Sequence, residues 1–92
     1  MKIYVLLEES CPICCATSYE DIIDYQIREK HITEDTLMWD GEICKWVPIC
    51  HMFTQITDDW VDGIKLAGID NYNDIFGEVC NYYIHESELI TP

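Results

Sequence analysis

An α+β fold is predicted from the sequence: a small antiparallel sheet with one packed helix, followed by a C-terminal two-helix extension. Three observations carry it. The chain opens on a short run rich in β-branched and aromatic residues, Ile3-Tyr4-Val5-Leu6-Leu7. A serine-led segment with isoleucines on one face comes next, Ser18 to Lys30. The stretch Thr36 to Pro48 then reads as two short strands around an Asp-Gly turn.

Length and charge narrow the function classes. The 92 residues make one domain with a limited core, and eleven aromatics (Trp 3, Tyr 6, Phe 2) supply large buried area in compensation. Eighteen Asp and Glu against five Lys and Arg give a net charge of -13. Phosphate contacts need clustered Lys and Arg, so direct binding to DNA or RNA is not expected. The acids run through both halves, ten before Trp46 and eight after it, and do not form a separable tail. Such charge is either a solvated surface or a surface that imitates a phosphate backbone and occupies a basic cleft on an enzyme. Five apolar residues after Met1-Lys2 are too few for a signal-peptide core or a membrane span, so a cytoplasmic location and no membrane partner are expected. Thiols normally stay reduced there, and six cysteines are many for that compartment.

Residues 2 to 7 form a buried strand closed by Glu8-Glu9-Ser10. Cys11 to Cys15, CPICC, is a second strand or a knuckle, with Pro12 at a strand start or edge. A helix is expected over 19 to 30, with Ser18 and Asp21 as an acidic variant of the capping box and Arg28, Lys30 and His31 at its negative end. Ile22, Ile23 and Ile27 share its inner face with Tyr19. Thr36–Trp39 and Lys45–Pro48 are the hairpin strands. A two-residue turn at Asp40-Gly41 places Trp39 opposite Glu42, whereas a longer loop from Asp40 to Lys45 places it opposite Trp46, where the rings pack across the strands. The second register is preferred.

Thr57 caps a further short helix, with Trp60, Val61, Ile64 and Ala67 as its stripe and Gly68 as its end. Asn71 and Asp74 open another, whose buried face is Ile75, Phe76, Val79, Cys80 and Tyr83. The tail ESELITP carries no pattern. Both helices have wide apolar faces, which either enlarge the core of the sheet or meet a partner. If they pack inward, Trp60 is placed to cover the hairpin aromatics.

The block ITEDTLMWDGEICKWVP, Ile32 to Pro48, resembles the second, bacterial type of GYF domain. Ile32, Thr33, Asp35, Thr36, Leu37, Trp39, Trp46, Val47 and Pro48 carry the resemblance, with Tyr4 matching the aromatic of the opening strand. It covers about residues 3 to 53 and divides the chain into a GYF-like unit, 1–53, and a helical extension on the same core, 54–92. GYF domains are adaptor modules, and the resemblance implies protein binding without catalysis. Their best-understood type binds proline-rich peptides on an aromatic groove, because a polyproline II segment is already extended and loses little entropy on docking. The resemblance thus nominates Tyr4, Trp39 and Trp46 as partner-binding residues. The two tryptophans also suit a core role.

Cys11-Pro12-Ile13-Cys14 has the spacing of a zinc knuckle, and Cys50 with His51 would complete a tetrahedral set. The other reading is that the cysteines pack as small apolar residues. Thiol redox chemistry is disfavoured because Glu8 and Glu9 would raise the thiol pKa. His31, His51 and His85 have no nucleophile at a telling spacing, and neither a phosphate loop nor calcium-loop spacing is present. No other cofactor and no enzymatic activity are expected. Two functions stand side by side: a protein-binding module that takes an extended or proline-rich segment, and a small acidic inhibitor, of the kind a phage could encode, that blocks a basic cleft on a host enzyme.

Overall fold

The computed structural model describes residues 2–54 and 56–88. The fold is α+β. Strands β1 (Lys2–Glu8) and β2 (Cys11–Ala16) lead into α1 (Tyr19–Arg28); β3 (Leu37–Asp40) and β4 (Lys45–Pro48) lead through a 3-10 turn (Ile49–Met52) to α2 (Trp60–Cys80) and β5 (Tyr82–Glu88). Two antiparallel sheets result, one of order β2-β1-β5 and a separate ribbon, β3-β4.

Glu9 and Ser10 turn β1 into β2 with φ of 50° and 72°. Positive φ at both central residues is the geometry of a two-residue turn whose twist matches the strands it joins. Cys11-Pro-Ile-Cys-Cys is therefore strand rather than knuckle. Leu7 pairs with Pro12 and Leu6 with Cys14, so Ile13 is the extra residue of a bulge. Pro12 lies on an edge strand, where its missing donor costs no ladder bond.

In α1, Ser18 Oγ accepts a hydrogen bond from the Asp21 amide at 3.2 Å, and Glu20 and Asp21 face the positive end. Tyr19, Ile22, Ile23 and Gln26 are buried on its inner face. The helix stops at Arg28, two residues earlier than expected, and Lys30 takes a left-handed φ of 61°.

The C-terminal half departs furthest from the sequence reading. Asp59, not Thr57, caps α2, its carboxylate accepting from the Val61 amide at 2.9 Å. Two helices are present as expected, the first ending at Gly68, whose φ of 86° and ψ of 171° are not helical; the second follows at once, with no loop between them, and the pair is called α2 throughout. That backbone conformation is open essentially to glycine alone. The second helix thus starts before Asn71, whose side chain donates to the Ala67 carbonyl at 2.8 Å, beside the break. Asn81 ends α2 in the left-handed conformation, so Tyr83 is not on the helix but exposed on β5. The Val79 side chain lies outside the described ones. Residues 82–88 pair along all of β1, from Glu8 opposite Tyr82 to Lys2 opposite Glu88. The tail is thus a sheet strand as far as Glu88, and 89–92 lie outside the described residues.

One core gathers side chains from both halves: Leu6 and Ile84 from the sheet, Ile22 and Ile23 from α1, Ile32, Ile49 and Phe53 from the connections, and Ile64, Tyr72 and Phe76 from α2. Phe53 stacks on Phe76 with centroids 5.6 Å apart, and Tyr72 tilts over Phe76 at 4.6 Å. Two buried hydroxyls join the helices: Tyr19 donates to the Ile64 carbonyl at 2.6 Å, and Tyr72 to Gln26 Oε1 at 2.5 Å. Asn73 brackets Ile84, accepting from its amide at 2.7 Å and donating to its carbonyl at 3.0 Å. No helix among the described residues is long and apolar enough to cross a membrane.

The break at Gly68 sets the sign of a substitution. Nothing lies near a Cβ built there, so only the backbone opposes one. Gly68→Ala should lower the unfolding free energy by about 1–3 kcal/mol in urea denaturation. A continuous helix would instead gain about 1 kcal/mol.

Burial pushes the Tyr72 and Tyr19 hydroxyls above the ordinary value of 10, with Glu20 adding to the shift at Tyr19. A raised folded-state pKa means that the fold holds the neutral form. The associated stability is intact below pH 10 and is lost as pH rises beyond it. The denaturation midpoint should fall above that pH, with tyrosinate absorbance from these two residues appearing only as the chain unfolds.

Candidate binding surface

The hairpin is set up by a small turn of threonines. Thr33 and Asp35 amides donate to Thr36 Oγ1 at 3.0 Å and Thr33 Oγ1 at 3.2 Å, and the Thr36 amide donates to the Thr33 carbonyl at 3.1 Å. From there Leu37 pairs with Pro48, Met38 with Val47, Trp39 with Trp46 and Asp40 with Lys45. The longer loop is therefore the one used. Asp40 stabilises it by accepting from the Glu42 amide at 3.0 Å, and Cys44 closes it at φ 53°.

Alternation does the rest. Met38 and Val47 share one face and are half-buried, Met38 against the core. Leu37, Trp39 and Trp46 fall on the other. The two indoles meet edge to face, centroids 5.7 Å apart at 68°, and remain 50% and 63% exposed. They are not core residues. Leu37 on β3, Ile43 in the loop and Met52 on the 3-10 turn are exposed as well, and Met52 lines a cleft with Trp39.

Two clefts form here. One, of about 330 Å³, is lined by Met38, Trp39, Trp46 and Glu78; the other, of about 370 Å³, by Met38, Trp39, Asp40, Gly41, Glu42, Val47 and Met52. Met38 and Trp39 are a wall common to both. Glu78 comes from α2, so the C-terminal half contributes directly to the hairpin surface. Sequence reasoning missed it because nothing local distinguishes this glutamate from the other acids. A larger cleft, about 470 Å³, opens at the Gly68 break, but polar groups such as Glu20, Asp70, Asn71 and Glu86 dominate it, and its Lys65 is held by Asp24 at 2.7 Å.

The other nominated residues lie elsewhere. Tyr4 is on β1, half-buried against the main core, and lines neither tryptophan cleft. Trp60 also packs on that core and leaves the hairpin rings uncovered. The four zinc candidates do not converge: Cys11 and Cys14 lie along β2, Cys50 and His51 on the 3-10 turn. Cys50 is buried with its thiol on the Glu34 carbonyl at 3.7 Å, while His51 is exposed. Among the described residues no group of three or more His, Cys, Asp or Glu could hold a metal ion. Burial raises the Cys14 and Cys50 thiols, with Cys15 and Glu34 respectively adding to the effect. Both thiols are held towards their neutral form. At Cys14 the cause is burial rather than the acids at 8 and 9. His31 lies between aromatic rings, stacked on Tyr82 at 5.8 Å and edge-on to Tyr25 at 5.6 Å.

An exposed pair contributes little to stability. Trp46→Ala should cost about 0.5–1.5 kcal/mol in urea denaturation, the scale of one edge-to-face contact. Ile22→Ala, in the core, should cost about 2–5 kcal/mol. Equal losses would mean that the indoles are structural.

Compared with protein-family models, with curated proteins and with solved structures, the chain matches none, and the reading of its surface rests on its own geometry.

Proposed function

We propose that this protein is a non-enzymatic interaction module, GYF-like over about residues 3 to 53, that docks an extended, proline-rich segment of a partner protein on Trp39 and Trp46. The observation that carries this reading is the exposed, edge-to-face tryptophan pair on a ribbon outside the main core. Rigid indoles offer flat apolar area at little entropic cost, and a preformed polyproline II segment offers complementary flat rings. Burial of such surface stabilises a complex by about 25 cal/mol per Å² before the costs of association. Six free thiols fit a reducing compartment, which supports a cytoplasmic location.

The second reading, an acidic decoy for a basic cleft on an enzyme, draws on a different region. Glu20, Asp70 and Glu86 line the cleft at the Gly68 break, around the one lysine there. The two readings separate by salt response, since apolar docking persists at high ionic strength and charge mimicry weakens steeply.

Three indole signals test the proposal directly. In two-dimensional NMR with a pool of proline-rich peptides, Trp39 and Trp46 should shift saturably at low and high salt while Trp60 stays in place. Three unmoved indoles would sink the peptide-docking reading and leave the decoy.

A further inference from the structure

The three-stranded sheet has two faces, and the core uses one of them. Leu6 and Ile84 lie opposite each other and point into the core, where both helices meet them. By alternation Ile3, Val5 and Leu7 point the other way. Their partners across the two ladders share that outward face: Cys15 and Pro12 on β2, and Ser87, His85 and Tyr83 on β5. None of these is Asp, Glu, Lys or Arg, in a chain where about one residue in five is acidic. The acids of these strands, Glu8, Glu86 and Glu88, have the parity of Leu6 and Ile84, and Glu86 accordingly lines the helix-side cleft with Tyr19 and Lys65. This reverses the usual arrangement, in which the open face of an antiparallel sheet is the polar one. Ile3 to Leu7 is apolar at every position, the pattern of a strand covered on both sides. Yet Cys15, Tyr83 and His85 are exposed on the outward face, and Ile3, Val5 and Leu7 take no part in the core.

The edges of the sheet are closed to a further strand. Pro12 and the bulge at Ile13 blunt β2, and the Asn73 side chain occupies the outward amide and carbonyl of Ile84 on β5. The face is what remains, and charge selects its occupant. A net charge of -13 repels an anionic membrane or a nucleic acid. A basic partner is drawn to acids, so clearing them from a face weakens its attraction. An acidic partner can approach only where acids are missing, and the acidic partner always present at matching concentration is a second copy. We infer that two copies of this chain associate through the outward face of the β2-β1-β5 sheet, Ile3, Val5 and Leu7 of each packing on those of the other about a two-fold axis. Size sets the strength. Three strands about 4.8 Å apart, with seven residues at about 3.3 Å each along β1, give a face of about 14 by 23 Å. That is about half of the 800 Å² per partner of a standard interface, so the dimer is weak and forms at high protein concentration. Trp39 and Trp46 take no part in it, and each dimer carries two indole pairs for a partner with repeated docking segments.

Sedimentation of the full chain from about 10 µM to about 1 mM, at low and high salt, tests this. The average mass should climb from one chain towards two, and high salt should favour the dimer by screening the repulsion between two charges of -13. Val5→Glu puts a carboxylate at the centre of the face and should weaken association by about tenfold or more. Ile43→Glu adds the same charge on the exposed hairpin loop and should leave association close to wild type. An unchanged indole spectrum verifies the folding of each variant. Cys15 supplies a readout in the unsubstituted chain: its alkylation by iodoacetamide should slow at high protein concentration, while Cys44, exposed in the hairpin loop, keeps its rate. A mass of one chain throughout this range would overturn the inference, and capture of that monomer by zwitterionic lipid vesicles would give the face to a membrane. A dimer that protects Cys44 and not Cys15, or that Val5→Glu weakens no more than Ile43→Glu does, would overturn it as well.

Discussion

The pairing of β5 with β1 is the constraint on which the rest of the fold depends. β1 is the middle strand of its sheet, bonded to β2 on one side and to β5 on the other. Closing a loop between residue 8 and residue 82 costs chain entropy, though the cost grows slowly with length. Packing repays it. The pairing sets Leu6 opposite Ile84, both buried, and Asn73 locks Ile84 to α2 through its amide and carbonyl. The Glu9 amide donates to the Asn81 carbonyl at 3.1 Å, so the tip of the first hairpin is tied to the point where α2 ends. With both its ends fixed, α2 lies across the core and delivers Tyr72 to Gln26 and Phe76 to Phe53.

This arrangement separates two populations of aromatic residues. Tyr19, Phe53, Tyr72 and Phe76 fill the interior, and the two tyrosine hydroxyls find buried acceptors. Trp39 and Trp46 are left on a ribbon whose Met38 packs against the core, between Ile32 before the ribbon and Ile49 and Phe53 after it. The acids follow a similar division: they are absent from the buried core and gather at rims and helix starts.

Local chemistry made part of this legible in the sequence. Ser18 and the isoleucines after it specify α1, because cap and periodicity point to the same face. The hairpin register follows from what two indoles gain by lying opposite each other. Which way they face does not, since alternation with period two looks the same whether the aromatic set points inward or outward. The last strand was illegible for a different reason. Only Ile84 is fully buried along it, so Tyr82 to Glu88 lacks the apolar run that marked β1. Asn81 was the available signal, since asparagine tolerates the left-handed conformation that ends a helix; read so, it would have kept Tyr83 off the helix face. The zinc set failed because a three-residue spacing bends into a knuckle only when the chain turns, and CPIC runs extended against β1. Glu78 reaches the hairpin only through tertiary packing, which no local pattern encodes.

The central place of β1 in its sheet also bears on how the chain is made. Synthesis delivers β1 first and its second neighbour last among the described elements. On the ribosome, β1 can zip with β2 at once, but its other edge stays open while some seventy further residues emerge. Through that interval an apolar strand edge with free amides and carbonyls is available to any other extended chain nearby. Completion then comes as a single late event. A fragment stopped anywhere before residue 82 keeps that edge exposed, and the surface acids that hold molecules apart are all that protects it from aggregation.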